Sequence, residues 1–308
     1  MAAMTTAANP ANDESHVAAE IARQPEAWRA AIDGLPAHRE ALPPGGARVA
    51  IIGCGTSLHI SRSYAALREA AGHGETDAFA ASEYRYGRRY DRIVALTRSG
   101  TTTEVLEVLG RLGDAADTTV ITVGSDVAAA DQARHVIALP MAAERSVVQT
   151  VFPTSALALL RASLGEDLGA AIDAAPDAVN GELPLDPDVQ QITFVGLGWA
   201  AGIADEAALK CREAAGFWTE SYPAMEYRHG PISVSGAGTA VWLFGREPSG
   251  FGSDVTATGA AFHRSDDDPM VDLIRAQRTA LALARREGRD PDHPPALTFS
   301  VVLDASAQ

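Results

Sequence analysis

The chain has 308 residues, 46% of them hydrophobic, and a formal net charge of −15 at pH 7. This length can bury the core of one large or two medium domains, and the negative charge argues against nucleic acid or an anionic membrane as a partner, since both need clustered positive charge. Two distant cysteines, Cys54 and Cys211, without metal-ligand spacing, and no apolar run of about 18 residues predict a cytoplasmic protein with free thiols.

Buried strands and helices alternate along the first half of the chain. Residues 1–13 lack periodicity and are predicted to form a flexible tail. An apolar run at 48–57 is predicted to be a strand that enters a glycine turn, and 58–72 is predicted to be a helix. Further apolar runs at 92–97 and 118–123 predict two more strands. Continuous rather than alternating apolar strands, separated by helices, are typical of a parallel sheet covered on both faces.

The second half repeats this plan. A predicted strand at 192–198 is followed by a helix that ends near Gly216, and 239–244 is a further strand. Three short segments recur at an offset of 143 or 144 residues: GCG at 53 and GLG at 196, REAAG at 68 and 212, and EYR at 83 and 226. We interpret the chain as a duplication. The predicted fold class is α/β, with two tandem doubly wound, flavodoxin-like parallel-sheet subdomains.

The Pro- and Asp-rich segment 174–189 is the predicted linker between the two halves. The predicted domains are therefore 14–173 and 190–308, the second of which includes a C-terminal tail. In sheets of this kind, ligands bind beyond the carboxyl ends of the strands, where glycine turns lead into helices. We expect the functional residues to lie in and after those turns.

The segment 97–104 (TRSGTTTE) carries the most specific binding signal. It follows a buried strand, places five hydroxyl side chains around one glycine, and leads into an apolar helix. Hydroxyls and free N–H groups at a helix N-terminus form a nest for a phosphate monoester, to which Arg98 can add a bidentate contact. A helix cap would explain one or two hydroxyls but not five.

The earlier glycine turn, GCG at 53–55, is a weaker signal, because an ordinary tight turn explains it about as well as a phosphate site. The third glycine of a dinucleotide-binding fingerprint would fall at Leu58. A nucleotide-binding oxidoreductase is therefore a poor interpretation of this turn.

Ionisable residues are concentrated on one helix of the second half. Lys210 is the only lysine among 25 basic residues, and Glu206, Lys210 and Glu213 share one helical face. An arginine-favouring composition with an ordinary exposed i,i+4 ion pair is the alternative explanation. Against it, the first half has no lysine at the corresponding place, and it has Tyr86 where the second half has His229.

Together these segments resemble the SIS (sugar isomerase) family of phosphosugar-binding domains, and within it the tandem isomerase half of the glutamine–fructose-6-phosphate aminotransferases. The resemblance covers about residues 14–303. It is carried by EIARQP at 20, CGTS at 54, SEYRY at 82, SGTT at 99, ALKCRE at 208, EYRHGP at 226 and DPDHPPALTFSV at 290.

The resemblance implies roles for individual residues. Glu213 would move a proton between C1 and C2 of the sugar, Lys210 would act beside it, and His229 would open the sugar ring from the neighbouring subunit of a homodimer. A small phosphosugar would be bound by residues of the turns and by two residues lining the sugar site: Cys54, Gly55, Thr56, Ser57, Thr97, Arg98, Ser99 and Thr102, with Val147 and Gln149. The resemblance implies no metal and no cofactor.

Three features depart from the family's pattern. About 47 residues precede the first strand, too few for a glutamine-hydrolysing domain, so glutamine-dependent amination is not expected of this chain. Phe299 stands where the family's tail lysine forms a Schiff base with the ketose. The family's Ser-Gln-Ser-Gly in the phosphate loop is replaced by Thr-Arg-Ser-Gly at 97–100.

Two classes of function follow. The first is an aldose–ketose isomerase or amino-sugar 6-phosphate deaminase, acting on a hexose or hexosamine 6-phosphate by proton transfer between C1 and C2. The alternative is a catalytically silent phosphosugar sensor or scaffold, which Phe299 favours and the retention of Lys210, Glu213 and His229 disfavours. Lys210 is expected to be the electrostatic partner of Glu213, and Lys210→Arg to cost activity with little cost in folding.

Overall fold

The structure, a computed structural model, describes residues 15–186 and 188–303. The predicted tail 1–13 lies outside the described residues. The N-terminal part consists of α1 (His16–Ala22), α2 (Gln24–Asp33), β1 (Val49–Gly53), α3 (Thr56–Ala70), β2 (Thr76–Ala80), β3 (Arg92–Leu96), α4 (Thr103–Leu112), β4 (Thr118–Thr122), α5 (Ala128–Asp131), β5 (His135–Ala138), α6 (Val151–Ser163) and α7 (Gly169–Asn180). The C-terminal part consists of β6 (Gln191–Gly196), α8 (Ala200–Ala215), β7 (Thr219–Pro223), α9 (Ala224–Tyr227), β8 (Thr239–Phe244), α10 (Phe251–Ala257), β9 (Ala261–Arg264) and α11 (Pro269–Arg286).

The strands form two parallel sheets. The first has five strands in the order β2-β1-β3-β4-β5, and the second has four in the order β7-β6-β8-β9. Every residue of β1, β3, β4 and β6 is buried, as their continuous apolar sequences predict for strands covered on both faces. The predicted α/β class with parallel sheets is confirmed, and the order of the first sheet is that of flavodoxin-like folds.

The two halves share one hydrophobic core. A single cluster of buried side chains includes Trp28 and Phe152 of the N-terminal part and Phe194, Trp242 and Leu273 of the C-terminal part. Helix α6 is buried along nearly its whole length, and α8 packs on both α3 and α11. The glycine turns after β1 and β6 are therefore held at a fixed distance from each other.

The connection between the halves is shorter than the sequence suggested. Helix α7 extends to Asn180, so the first part of the predicted linker 174–189 is helical, with Pro176 inside the helix. Its alanine-rich face packs on the core at Ala171, Ala175 and Ala178. The linker prediction rested on the local Pro and Asp content. Burial of the alanine-rich face stabilises a helix here in spite of that content. None of the described helices is long and apolar enough to cross a membrane.

Gly202 allows the close crossing of α3 and α8. A Cβ atom on Gly202 would lie 2.6 Å from the backbone oxygen of His59 and would also contact the Ser63 hydroxyl. We expect Gly202→Ala to lower the free energy of unfolding by about 1–3 kcal/mol, because the added methyl overpacks this crossing. Chemical denaturation measures the change.

The matched control is Gly87→Ala, where a Cβ atom would meet nothing and the residue is exposed. We expect its free energy of unfolding to stay within about 0.5 kcal/mol of wild type. Equal effects of the two substitutions would contradict a tight contact at Gly202.

Candidate active site

Lys210 is buried at the centre of a charged cluster on α8. Its side chain is 1% exposed, and Nζ lies 2.5 Å from Glu213 Oε2 and 3.3 Å from Glu206 Oε1. Nζ also donates to the Thr56 hydroxyl, at 2.8 Å, from the start of α3. An ammonium has three protons to donate, so the three neighbours satisfy it. The exposed ion pair that was the alternative interpretation of this sequence is thus excluded by burial.

The two carboxylates of the cluster have different environments. Glu206 is fully buried, whereas the Glu213 side chain is 20% exposed. Burial raises the pKa of Glu206 to about 8 despite the nearby ammonium. Burial alone would lower the pKa of Lys210, but Glu206 and Glu213 outweigh it and raise that pKa. Of the two carboxylates, Glu213 is therefore the one that a ligand can reach.

The predicted phosphate loop connects β3 to α4. Gly100 has a φ of +66°, a left-handed conformation that favours glycine, and a Cβ there would collide with Val127. Thr97 is buried and its Oγ1 accepts from the Gly100 N–H at 3.3 Å. Thr102 is the N-cap residue of α4, with no side-chain cap hydrogen bond. The loop therefore has the turn and helix start that its sequence predicted.

Arg98 lies beneath this loop rather than on its surface. It is 3% exposed, and its terminal nitrogens donate to the backbone oxygens of Ser146 (2.9 Å), Val147 (3.3 Å) and Phe299 (3.0 Å). Its Nε is buried without a hydrogen-bond partner. Of the guanidinium donors, Nε is thus the one that lacks a protein acceptor.

Arg98 also connects the phosphate loop electrostatically to the cluster on α8. Burial lowers the pKa of its guanidinium, while the carboxylates of Glu144, Glu20 and Glu213 act in the opposite direction. Glu213 therefore lies close enough to the loop's arginine to interact with it. The structure brings together the two groups of residues that the sequence singled out in different halves.

The C-terminal segment 297–303 lies across the phosphate loop. Ser300 Oγ is 3.0 Å from Ser99 Oγ and 3.0 Å from Thr101 Oγ1, and the Thr103 N–H at the start of α4 donates to the backbone oxygen of Val301. The Phe299 ring stacks on the Arg98 guanidinium, whose central carbon lies 3.7 Å from the centroid of the ring. Upstream, Asp292 accepts from the backbone N–H groups of residues 16 and 17 at the start of α1. The chain from Asp292 to Val301 is thus anchored at α1 and at the phosphate loop.

The remaining residues predicted for the binding site are mostly buried or half-buried. Thr56 and Ser57 are 3% exposed at the start of α3, after Gly55 with a φ of +52°. Burial, with Glu104 nearby, raises the pKa of the half-buried Cys54 thiol to about 11. Gln149 has a buried Oε1 without a hydrogen-bond partner.

His229 lies apart from the cluster within this chain. It is exposed in the turn after α9, where its backbone N–H donates to the Glu226 carbonyl. Its ring makes none of the contacts that join Lys210, Glu213 and Thr56. Within one chain, His229 is therefore not part of the cluster on α8.

Three residues of the site were missed or given too little weight from the sequence. Glu206 was identified only as sharing the helical face, although it contacts Lys210 directly. Glu144 caps α6, because its carboxylate accepts from the N–H groups of Thr150 and Val151. Ser300 lies within the DPDHPPALTFSV motif but was assigned no role, since a serine in a tail can be placed only once the tail's path is known.

The chain is similar in sequence to curated proteins of one kind. No family model matches the chain. It is 26% identical over 305 residues to the glutamine–fructose-6-phosphate aminotransferase of Methanothermobacter thermautotrophicus (83% of this chain, 52% of the relative). It is 27% identical over 365 residues to that of Halobacterium salinarum (97% and 61%). The chain spans about half the length of these relatives.

Solved structures show the same fold. A glucosamine-6-phosphate deaminase from Thermotoga maritima superposes with a TM-score of 0.79 at 23% identity, covering 94% of this chain and all of the other. The C-terminal domain of the aminotransferase from Francisella tularensis gives 0.78 at 21% identity (94% and 100%). The tagatose-6-phosphate ketose/aldose isomerase of Escherichia coli gives 0.76 at 18% identity (98% and 100%).

The fold is the one that these solved phosphosugar isomerases and deaminases have, and the sequence similarity to the aminotransferases confirms the resemblance stated from the sequence. More particularly, the chain is a homologue of the isomerase part of the glutamine–fructose-6-phosphate aminotransferases.

Proposed function

We propose that the chain is an enzyme that interconverts the aldose and ketose forms of a hexose or hexosamine 6-phosphate. The observation that carries this proposal is the Lys210–Glu213 pair: a buried ammonium 2.5 Å from a carboxylate that is itself partly exposed. Glu213 of this pair interacts electrostatically with Arg98, which lies below a loop of the phosphate-binding type. A pure phosphosugar binder needs such a loop but has no need of a buried acid–base cluster.

The proposed reaction divides into binding and proton transfer. The Ser99 and Thr102 hydroxyls and the N–H groups at the start of α4 would hold the phosphate. Glu213 would remove the proton from C2 of the aldose and return it to C1, passing through an enediolate in which the hydroxyl proton moves from O2 to O1. Lys210 would hold the Glu213 carboxylate in place and would stabilise negative charge on the adjacent sugar oxygen. The step conserves atoms and electrons, so it needs no external oxidant or reductant.

His229 has a separate place in this proposal. We infer a homodimer in which His229 of the partner subunit opens the sugar ring, because His229 is exposed here and lies apart from the cluster on α8. Sedimentation at micromolar concentration measures the oligomeric state. Mixing an inactive Glu213 variant with an inactive His229 variant should restore turnover if each supplies the other's missing group.

The domain division belongs to the same proposal. We infer two tandem doubly wound units, at 14–173 and 190–308, that arose by duplication. The equivalent elements β1 with α3 and β6 with α8 support this, since each pair joins a buried strand to a helix through a glycine turn.

The proposed reaction is tested by incubating the protein in D2O with glucose, fructose and glucosamine 6-phosphates. Deuterium at C2, followed by proton NMR, is the expected result for an isomerase, and ammonia release would identify a deaminase. Thermal stabilisation by these sugars without exchange or ammonia would instead support the sensor, the alternative that Phe299 favours. Neither binding nor turnover with any of them would overturn the proposal.

The Ser300 hydroxyl is hydrogen-bonded to the hydroxyls of Ser99 and Thr101. The tail must therefore leave the loop before a phosphate can bind to these hydroxyls. We expect removal of residues 297–308 to tighten binding of inorganic phosphate by roughly tenfold, since the lost tail contacts include several hydrogen bonds of about 1 kcal/mol each. Isothermal titration calorimetry measures the affinity. Val302→Ala is the control, because Val302 is 66% exposed. Unchanged or weaker binding after truncation would show that the tail does not compete.

A further inference from the structure

Thr56 connects the two halves of the chain at the Lys210 cluster. It is the first residue of α3, directly after the glycine turn of β1, and it is 3% exposed. Its Oγ1 accepts from Lys210 Nζ at 2.8 Å and donates to Glu206 Oε1 at 3.3 Å. Both partners lie on α8, so this one hydroxyl joins the first half's turn to the second half's charged face.

The hydrogen-bonding capacity of this hydroxyl is nearly exhausted. A threonine hydroxyl has one proton to donate and two lone pairs. The proton goes to Glu206 and one lone pair takes the Lys210 ammonium. With its donor engaged inside the protein, Thr56 has no proton left for a sugar oxygen. This differs from the substrate-binding role that the family resemblance implied.

Thr56 also gives Lys210 a partner from outside its own helix. The other two neighbours of Nζ, Glu206 and Glu213, are on α8 at i−4 and i+3. A long, flexible side chain between two carboxylates of its own helix can lean toward either one. A third contact from α3 fixes the ammonium in one place and leaves it against the more exposed carboxylate.

We propose that Thr56 is a positioning residue that holds the Lys210 ammonium against Glu213, rather than a ligand of the sugar. This inference rests on the proposed function. Thr56→Val keeps the shape of the side chain and removes the hydroxyl. It should lower kcat about a hundredfold, because a displaced charge loses its alignment with the reacting carboxylate. KM should change by less than about twofold, since ground-state binding is retained.

Rescue by Thr56→Ser is the matched control, because it restores the hydroxyl and removes only the methyl group. We expect Thr56→Ser to recover kcat to within about threefold of wild type. A rise in KM at constant kcat in Thr56→Val would instead assign Thr56 to substrate binding and overturn the proposal. Circular dichroism and thermal unfolding check that both variants are folded.

The single lysine provides a readout that does not depend on turnover. Protein grown with ζ-15N lysine gives one side-chain ammonium signal, from Lys210 alone. In the wild type we expect slow proton exchange and a fixed chemical shift, because all three protons are bound inside the protein. Thr56→Val should shift the signal and speed the exchange, and Thr56→Ser should restore both.

The two possible failures are distinguishable. If the wild type turns over no phosphosugar, the proposed function fails, while the Lys210 signal still reports whether Thr56 holds the ammonium. If the wild type is active and Thr56→Val leaves both kcat and the Lys210 signal unchanged, the positioning role fails and the proposed function stands.

Discussion

Glu213→Gln is expected to lower proton exchange at C2 of a hexose 6-phosphate by about a thousandfold, within the range of general-base contributions. Glutamine keeps the size of the side chain but cannot accept the C2 proton. Its amide oxygen can still accept from Lys210, so folding should be retained. The exchange rate in D2O and the affinity for the phosphosugar are measured on the same preparation.

The expected pattern separates an enzyme from a sensor. Loss of exchange at nearly unchanged phosphosugar affinity assigns Glu213 to the chemical step, because such a residue acts on the transition state. The exposed Glu182 provides the control: Glu182→Gln makes the same chemical change away from the site and should leave exchange at the wild-type rate. If Glu213→Gln exchanged as fast as wild type, another base would carry the reaction.

The sequence predicted the features that depend on local pattern. Continuous apolar runs predicted the inner strands β1, β3, β4, β6 and β8, but not the edge strands β2, β5, β7 and β9, which are only partly buried. The i, i+4, i+7 spacing placed Glu206, Lys210 and Glu213 on one face. Glycines with positive φ, such as Gly100 and Gly216, ended or turned elements where they were expected. These relations involve residues only a few positions apart.

What the sequence could not predict depends on contacts between distant segments. The contact between Ser300 and Ser99 joins residues 201 positions apart, and the one between Thr56 and Lys210 joins residues 154 positions apart. The burial of Lys210 could not be predicted from the sequence either, because the same i, i+4 spacing of Glu and Lys occurs on exposed helices. It becomes evident only when α3 packs on α8.

The burial of Lys210 changes what its substitutions should do. From the sequence, Lys210→Arg was expected to cost little in folding. The Lys210 side chain is only 1% exposed, so the larger guanidinium is now expected to lower the stability of the protein. Such overpacking costs about 1–3 kcal/mol, so its effect on activity would be confounded with its effect on folding. Lys210→Met is the better substitution, since it keeps a similar length without the charge.

Lys210→Met is expected to abolish turnover and to make stability strongly dependent on pH. Without the ammonium, the buried Glu206 carboxylate has lost its counter-charge, and breaking such a pair costs about 3 kcal/mol when the remaining group is charged. The pKa of Glu206 is already raised by burial to about 8, and loss of Lys210 raises it further. The folded state therefore keeps Glu206 protonated at pH values where the unfolded state has released that proton.

The sign of the pH dependence follows from this proton. A carboxyl whose pKa is higher in the folded than in the unfolded state binds more protons when folded, so stability falls as pH rises between the two values. For Glu206 that window runs from its ordinary value of 4.5 to about 8 in the wild type and extends higher in Lys210→Met. Within it, the variant's free energy of unfolding should fall by up to about 1.4 kcal/mol per pH unit.

Denaturation at pH 5, 7 and 9 measures this slope, and the double variant Lys210→Met with Glu206→Gln is the control. Glutamine cannot ionise, so the double variant should lose the extra slope while remaining inactive. That result would attribute the stability effect to Glu206 and leave the loss of activity to Lys210 itself. A Lys210→Met protein as stable at pH 9 as at pH 5, relative to wild type, would mean that water reaches Glu206 and that its carboxyl group is not isolated from solvent.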